Sequence, residues 1–433
     1  METTPSNQSL TKWKKRFFMI WSGQAVSQLG SRLVGFAFVW HLTSTYHSAT
    51  VLSIATLVSV LPDVIISPIA GALIDRWNRK RVMIITDILT AILTLVLALL
   101  FAFTDVQIWQ IYLVMSLRST FGAFQWPAML TSTSLMVPKD QLARISGLNQ
   151  TLAGAMGILA PPLGAFLVAM LPMWGVLSID IVTALVAVVP LLFFHIPQPE
   201  VKHEEKDANG KSRSNLWKDL AEGFKYVVTL PGLLAVILSA MVINFLVSPA
   251  FSLLPLMVTD YFKKGAIELG LIESVISIGF LAGGLLLSIW GGFKNRLVTS
   301  FVFLVVMGLS IALFGLVPNS QFYLALGVLA LVGIANPLVN GPVHAALQAR
   351  VDPDKQGRVF TLLSSGATLA MPIGLAIAGP LSDAVGVQIW FIIGGIVCVV
   401  MALLMMTNKK ILQLGIDVQP AAPQVDPTPV HQI

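Results

Sequence analysis

The sequence predicts an all-α membrane protein with twelve transmembrane helices arranged as two six-helix repeats. Of its 433 residues, 56% are hydrophobic and 11% are charged, whereas soluble domains carry about 25% charged residues. The apolar runs reach roughly 20 residues, the length of a helix that crosses a bilayer. A backbone in lipid must satisfy its own hydrogen bonds, so these runs are predicted to be helices. The basic residues also sort by loop, as expected of a polytopic protein.

Hydropathy along the chain divides it into twelve candidate spans. They cover residues 17–42, 49–73, 82–103, 107–129, 144–171, 174–195, 232–258, 267–290, 297–317, 321–348, 359–383 and 387–407.

The distribution of Lys and Arg predicts the orientation of these spans. One alternate set of loops holds 23 of the 27 basic residues, the other set holds only Lys263 and Lys264, and Arg32 and Arg118 lie within spans. Cytoplasmic loops are the basic ones, so both termini and the middle loop are predicted to be cytoplasmic, in a multi-pass protein of the cell inner (plasma) membrane. With an odd number of spans, the basic loops would not all fall on one side of the membrane. The distribution of charges therefore supports a count of twelve spans independently of hydropathy.

A polar stretch between the sixth and seventh spans divides the chain into two halves. The predicted units are a cytoplasmic N-terminal tail, an N-terminal six-helix bundle, a cytoplasmic linker, a C-terminal six-helix bundle and a disordered cytoplasmic tail. They cover residues 1–16, 17–197, 198–230, 231–408 and 409–433. The two halves also resemble each other: Val137–Arg144 recurs loosely as Val351–Arg358, and Ala70–Leu73 as Ala282–Leu285. Paired repeats predict a substrate site between them near the bilayer midplane, reached alternately from either side.

Several functions are disfavoured by missing signatures. The single cysteine, Cys398, excludes a disulfide framework or a cysteine-based metal site. The six histidines show no ligand spacing, and the phosphate-binding G-x-x-x-x-G-K-[ST] loop is absent. The sequence therefore predicts no enzyme, no cofactor, no metal and no nucleic-acid partner, since the basic charge is explained by the loops.

The loop after the second span carries the strongest motif. Gly71–Arg81 reads G-A-L-I-D-R-W-N-R-K-R and resembles the signature G-x-L-a-D-r-x-G-r-k-r of the major facilitator superfamily, with Asn78 in place of the usual glycine. The resemblance implies the fold of that superfamily and a latch between its two halves, formed by Gly71, Asp75, Arg76 and Arg79 with Asp140 as partner. Anchoring by positive charge alone would explain the basic residues but neither Gly71 nor Asp75.

A second motif lies in the fourth span, where Leu113–Gly122 is similar to the family pattern l-x-x-x-R-x-x-q-G. Its arginine, Arg118, is near mid-membrane, where an unpaired charge costs about 3 kcal/mol or more. The resemblance implies that Arg118 tunes a proton-carrying carboxylate. Asp63 lies at a similar depth, so we predict that Asp63 carries the proton with Arg118 or Arg32 as its tuning partner; a permanent Asp63–arginine pair remains an alternative.

Two further segments indicate the direction and class of transport. Ala160–Ala165, with Pro161, Pro162 and Gly164, resembles the G-P-x-x-G-G motif of exporters, although alanine replaces two glycines. Trp13–Ser27 looks like the opening of the macrolide-efflux branch of the superfamily. The resemblance implies a proton-coupled antiporter that exports amphipathic molecules such as macrolide-type antibiotics. A siderophore or metabolite carrier of the same fold, and a membrane sensor or ATPase partner subunit that transports nothing itself, are the alternatives.

Amides within or near spans are the candidate polar anchors of a substrate cavity, because a lipid-facing amide would be costly. They are Gln24, Gln28, Asn149, Gln150, Asn244, Asn336 and Asn340. Gln24, Gln28, Asn149 and Asn244 fall on helices that line the central cavity in this superfamily, and interhelical hydrogen bonds are the alternative role for each. The expected partners are a hydrophobic small molecule, protons and the lipid bilayer, and the protein is expected to be a monomer.

Overall fold

The described part of the chain consists mainly of long helices, most of them joined by short connections. The computed structural model describes residues 7–74, 77–194, 196, 225–230 and 232–415. Within this part of the chain, twelve helices have 20 or more residues. They are α1 (Asn7–Tyr46), α2 (Ala49–Ile74), α3 (Arg79–Phe103), α4 (Ile108–Met136), α5 (Leu142–Met170), α6 (Met173–Phe193), α7 (Leu233–Ser252), α8 (Ala266–Trp290), α9 (Arg296–Leu316), α10 (Phe322–Arg350), α11 (Pro353–Val385) and α12 (Gln388–Thr407).

Shorter helical segments follow two of them. A turn at Leu254–Leu256 and a π-helical turn at Met257–Tyr261 continue from α7, and a six-residue helix, α13 (Lys409–Leu414), follows α12.

Ten of the twelve long helices in the described ranges are both long and apolar enough to cross a bilayer. The other two, α1 and α4, have sufficient length but carry more polar side chains. Several of these polar groups are withdrawn from lipid: Gln24 of α1 is 1% exposed, and the side chain of Arg118 in α4 is 12% exposed. The prediction of an all-α membrane protein is confirmed, and α1 and α4 use part of their length for interior polar contacts.

The helices pack as two groups that meet along two seams. In the first group α1 packs on α5 and α6, α2 on α4, and α3 on α4 and α6. In the second, α9 packs on α10 and α12, α8 on α10, and α11 on α7. We call α1–α6 the N half and α7–α12 the C half. The seams between them are formed by α5 with α8 and by α2 with α11.

A cleft separates the two halves, and the contacts along the seam between α5 and α8 show on which side of the membrane it is open. Its contacts run from Gly154 and Leu281, near mid-helix, to Ala165 and Gly270 toward the predicted outer side. The Ser274 hydroxyl donates to the carbonyl of Ile158 between them. At the other seam, the start of α2 touches the last turns of α11, also on the predicted outer side. The cleft between the halves therefore opens toward the predicted cytoplasmic side.

Helical structure extends into both predicted tails. α1 begins at Asn7, so the N-terminal tail predicted for residues 1–16 is helical from there onward, and its cytoplasmic location stays a prediction. The disordered tail predicted for 409–433 is wrong for α13, which folds back onto the C half. Ile411 and Leu414 are buried, and the Arg296 amide donates to the carbonyl of Gly415 at 3.1 Å. Two apolar side chains three residues apart give this short segment one face to bury.

Parts of the tails and linker lie outside the described residues, namely 1–6, 198–224 and 416–433. Within the predicted linker 198–230, the residues 225–229 are helical.

The crossing of α8 and α10 depends on glycine. A methyl group on Gly283 would overlap the carbonyl of Ile334 and lie 2.8 Å from Cγ of Pro337, whereas neighbouring Gly284 faces open space. We expect Gly283→Val to destabilise the purified protein by about 1–3 kcal/mol, as overpacking does, and to lower its melting temperature in detergent. Gly284→Val is the matched control and should melt like the wild type. Equal melting temperatures for both variants and the wild type would mean that the crossing is looser than described.

Candidate functional site

A buried ion pair connects α4 with α6 inside the N half. Nη1 of Arg118 lies 2.5 Å from Oδ2 of Asp180, and the two side chains are 12% and 2% exposed. Arg118 also donates to the hydroxyl of Thr94 on α3. The hydroxyls of Thr94 and of Ser31 on α1 each lie 3.2 Å from Asp180 oxygens. Four helices therefore meet at one carboxylate, whose negative charge is balanced by Arg118.

A second polar network lies nearer the predicted cytoplasmic side and is held by neutral groups. Gln24 on α1 donates to Oδ2 of Asp87 on α3 at 2.9 Å, and Gln125 on α4 donates to Oδ1 at 3.0 Å. Gln125 also donates to the side-chain oxygen of Gln24 at 2.8 Å. Asp87 is 8% exposed and Gln24 is 1% exposed. This carboxylate is bound by two amides, with no guanidinium in direct contact among the hydrogen bonds of the described residues.

Both networks border one cavity of about 290 Å³, which we call the N-half cavity. Its lining includes Asp87 and Asp180 together with Gln28 and Arg32. The Gln28 amide lies 3.3 Å from the sulfur of Met129. The N half thus brings two buried carboxylates, one paired with an arginine and one bound by amides, to the same small cavity.

Asp63, the predicted proton carrier, lies elsewhere. It is exposed on α2 and accepts a hydrogen bond from the Ser67 hydroxyl of its own helix at 2.9 Å. Arg118, its predicted partner, pairs with Asp180 instead. The pairing predicted from depth in the membrane is therefore wrong for Arg118, because depth fixes the height of a side chain but not the direction in which its helix face points.

A cavity of about 570 Å³ lies among the helices of the C half, with side chains of α7 to α12 in its walls. We call it the C-half cavity. Its walls are mainly apolar, and a stripe of Asn336, Asn340 and His344 on α10 faces it. Asn244 and Ser248 on α7 also line it. The spacing of four residues along α10 places the three polar side chains of the stripe on one helix face.

The predicted cavity amides are divided between these spaces. Asn244 lines the C-half cavity, and Gln24 and Gln28 line the N-half cavity. Asn149 instead accepts a hydrogen bond from the indole nitrogen of Trp21 at 2.7 Å. Sequence reasoning missed His344, whose ring stacks on Phe360 at 5.7 Å; its position four residues after Asn340 was the available signal.

Comparison with known proteins identifies the architecture. The family model of the Major Facilitator Superfamily matches residues 20–362 and 237–413, which together span most of the chain. The chain belongs to the Major Facilitator Superfamily. Its fold is that of solved transporters: a bacterial homolog of the human lysosomal transporter Spinster superposes with a TM-score of 0.68 at 14% identity, covering 92% of this chain and 97% of that one. The nucleoside transporter NupG gives 0.67 at 15% identity, covering 90% and 99%.

Sequence relatives of this superfamily member include efflux proteins. Macrolide efflux protein A of Streptococcus pyogenes is 31% identical, over 94% of this chain and the whole of that protein. Multidrug efflux pump Tap of Mycolicibacterium fortuitum is 27% identical, over 84% of this chain and 88% of that protein. The resemblance to the macrolide-efflux branch is confirmed along nearly the whole chain, and the chain is a membrane transporter.

The superfamily signature loop is described only in part. Asp75 and Arg76 lie outside the described residues. Gly71 faces open space, and Arg79 is buried with its guanidinium 3.4 Å from the carbonyl of Thr131. Asp140 is exposed and accepts from the Gln141 side chain at 2.9 Å. The latch role of these residues stays a prediction.

The exporter-like motif of α5 lies where that helix meets two others. A methyl group on Gly164 would lie 3.0 Å from the ring of Phe36 on α1. The carbonyl of Pro161 is within 2.9 Å of the Cβ position of Gly270 on α8. Pro162, beside it, is half-buried. The motif thus places α5 in close contact both with its own half and with the opposite half.

Proposed function

We propose that this chain is an efflux transporter of the inner (plasma) membrane that exports amphipathic small molecules, such as macrolide-type antibiotics, in exchange for protons. The proposal rests on one observation above all. Two buried carboxylates, Asp87 and Asp180, border a small cavity in the N half, while the C half holds a larger cavity that is lined mainly by apolar side chains and contains no carboxylate among its described lining residues. Proton binding and substrate binding therefore have separate places on opposite sides of the cleft.

The C-half cavity suits an amphipathic molecule. Drug-sized ligands bind in cavities of about 300–1,000 Å³ lined mostly by apolar groups with a few polar ones, and this cavity of about 570 Å³ falls in that range. The face formed by Asn336, Asn340 and His344 offers amide and imidazole groups to the polar edge of the substrate. Phe251, Phe280 and the aliphatic side chains of the remaining lining offer contact to its apolar part.

Asp87 is the proton carrier that the geometry favours. A carboxylate bound by neutral amides gives up no charge pair when it becomes protonated, whereas Asp180 would lose its attraction to Arg118. Asp87 also borders the N-half cavity, where a proton could reach its carboxylate. We assign Asp180 and Arg118 the task of holding α3, α4 and α6 in register around Asp87.

The cycle follows from the open side of the cleft. In the conformation described, substrate enters from the predicted cytoplasmic side while Asp87 releases its proton. The halves then rock about the fixed site, the outer side opens, and substrate leaves as a proton returns. The signature loop, with Asp75 and Arg79, latches the cytoplasmic side in that second state. Each monomer contains both cavities and needs no partner subunit.

Gradient-driven accumulation of a labelled macrolide inside liposomes tests this function. Purified protein is reconstituted into liposomes, a pH gradient is imposed, and uptake is measured in molecules whose cytoplasmic side faces outward. We expect gradient-dependent accumulation that collapses when a protonophore dissipates the gradient, and competition by other amphipathic drugs. Accumulation that ignores the gradient would exclude proton coupling. Failure with every macrolide and drug, together with gradient-driven movement of a siderophore or metabolite, would overturn the substrate assignment.

A further inference from the structure

The connection between α1 and α2 is held by the opposite half at two points on the predicted outer side. His47 Nδ1 lies 2.6 Å from an Asp260 oxygen in the π-helical turn after α7. Asp383, two residues before the end of α11, binds Ser48, Ala49 and Thr50. We call the segment His47–Thr50, together with Asp260 and Asp383, the outer clasp. It belongs neither to the two cavities nor to the signature loop.

Asp383 caps a helix that belongs to the other half of the molecule. Its oxygens accept from the backbone amides of Ala49 at 2.6 Å and Thr50 at 3.0 Å. They also accept from the hydroxyls of Thr50 at 2.6 Å and Ser48 at 3.0 Å. The first amides of a helix have no partner within the helix, and its N-terminus attracts negative charge. An aspartate usually supplies this cap from the adjoining chain; here it is supplied from more than 300 residues away.

The cap is set up by close approach of the two helices. One turn before Asp383, a methyl group on Gly379 would lie 2.9 Å from Cβ and Oγ of Ser53 and from Cα of Thr50. Ser53 and Ser382 are buried at this seam, at 2% and 3% exposed. The helix surfaces therefore meet at nearly backbone distance, and the carboxylate fits over the end of α2 only while the seam is closed.

The clasp is placed where it can open. Asp383 and His47 are both exposed at the rim of the bundle, so water can replace the lost hydrogen bonds when the seam separates. A cap of this kind stabilises one conformation without preventing the other, since exposed charged interactions are weakened by solvent.

We propose that Asp383 holds the outer gate shut by capping α2 across the two halves, with His47–Asp260 as a second tie, and that this cap breaks each time the outer side opens. The clasp biases the equilibrium between two states; it takes no part in binding substrate or protons. Loss of a helix cap shifts such an equilibrium by about fivefold. Asp383→Ala should therefore raise the ratio of outward-open to inward-open molecules by about that factor.

Distances between spin labels test the proposal in a Cys398→Ala background. One pair, at Leu171 and Asn319, spans the two halves on the predicted outer side; the other, at Ser134 and Gln348, spans them on the cytoplasmic side. In Asp383→Ala we expect the outer pair to gain longer distances and the cytoplasmic pair to gain shorter ones. Neither substrate nor a proton gradient is present, so the outcome is independent of the proposed function.

Asp105→Asn is the matched control, because Asp105 is an exposed aspartate on the same side, between α3 and α4. Distances in Asp383→Ala that match those of Asp105→Asn would overturn the proposal. If Asp383→Ala loses its fold, the distance distributions of both spin-label pairs will broaden. The milder variants Asp383→Asn and His47→Ala then test the proposal. Opposite shifts of the two pairs in these milder variants support the clasp, and unchanged distances refute it.

Discussion

Asp87→Asn is expected to abolish export driven by a pH gradient and reduce it to the level of vesicles without a gradient. Asparagine keeps the size of the side chain and can still bond to Gln24 and Gln125, but it stays neutral and cannot release a proton. Exchange of labelled for unlabelled substrate, which needs no net proton movement, should persist in this variant. The measurement is gradient-driven accumulation and substrate exchange in the same liposomes.

Two matched variants locate the coupling residue. Asp63→Asn makes the same chemical change at the exposed site predicted from the sequence, and we expect it to retain most gradient-driven export. Glu273→Gln makes the corresponding change in α8, the C-half helix of the α5–α8 seam. Loss of coupling in Asp63→Asn with normal coupling in Asp87→Asn would restore the sequence-based assignment. If Glu273→Gln alone lost gradient-driven export, the proton-coupling residue would be assigned to the C half.

Arg118→Leu is expected to destabilise the protein by about 3–5 kcal/mol, the cost of removing one partner from a buried ion pair. The Asp180 carboxylate would remain buried without its guanidinium, with the hydroxyls of Ser31 and Thr94 as its remaining donors among the described residues. The melting temperature of the purified protein in detergent, followed by size-exclusion chromatography after heating, reports this loss.

The double variant Arg118→Leu with Asp180→Leu provides the control. It removes both charges and should recover much of the stability lost in the single variant, because no unpaired buried charge remains. A single variant as stable as the wild type would show that the pair contributes little. A double variant less stable than Arg118→Leu alone would show that the loss comes from packing instead of from the unpaired charge.

The location of charges along the helices was readable from the sequence, but their pairing was not. Arg118 was recognisable as an intramembrane charge that needs a partner, and the structure provides one in Asp180. Asp63 was chosen because its depth is similar. Which carboxylate an arginine reaches depends on the rotation and tilt of each helix, and these follow from packing contacts such as Gly30 against Thr183 and Asp180.

The cavity amides show the same division. That Asn244, Asn336 and Asn340 should avoid lipid followed from the cost of an amide in hydrocarbon, and all three line the C-half cavity. The sequence alone could not separate Asn149, which binds Trp21, from those that face open space. His344 was missed because a lone histidine carries no signal until its helix face is compared with that of Asn340.

The sequence by itself determined that this is a helical membrane protein of the Major Facilitator Superfamily, with its charges and amides at known depths. Lipid permits few backbone structures and penalises misplaced charge, so local composition suffices for the helical, membrane-embedded character, whereas the family followed from the resemblance of the motifs. Only the tertiary structure decided that Asp180 forms the ion pair with Arg118, that neutral amides donate hydrogen bonds to Asp87, and that Asp383 caps α2. These contacts join residues 38 to 335 positions apart, and short-range patterns carry no information about which distant helix faces meet.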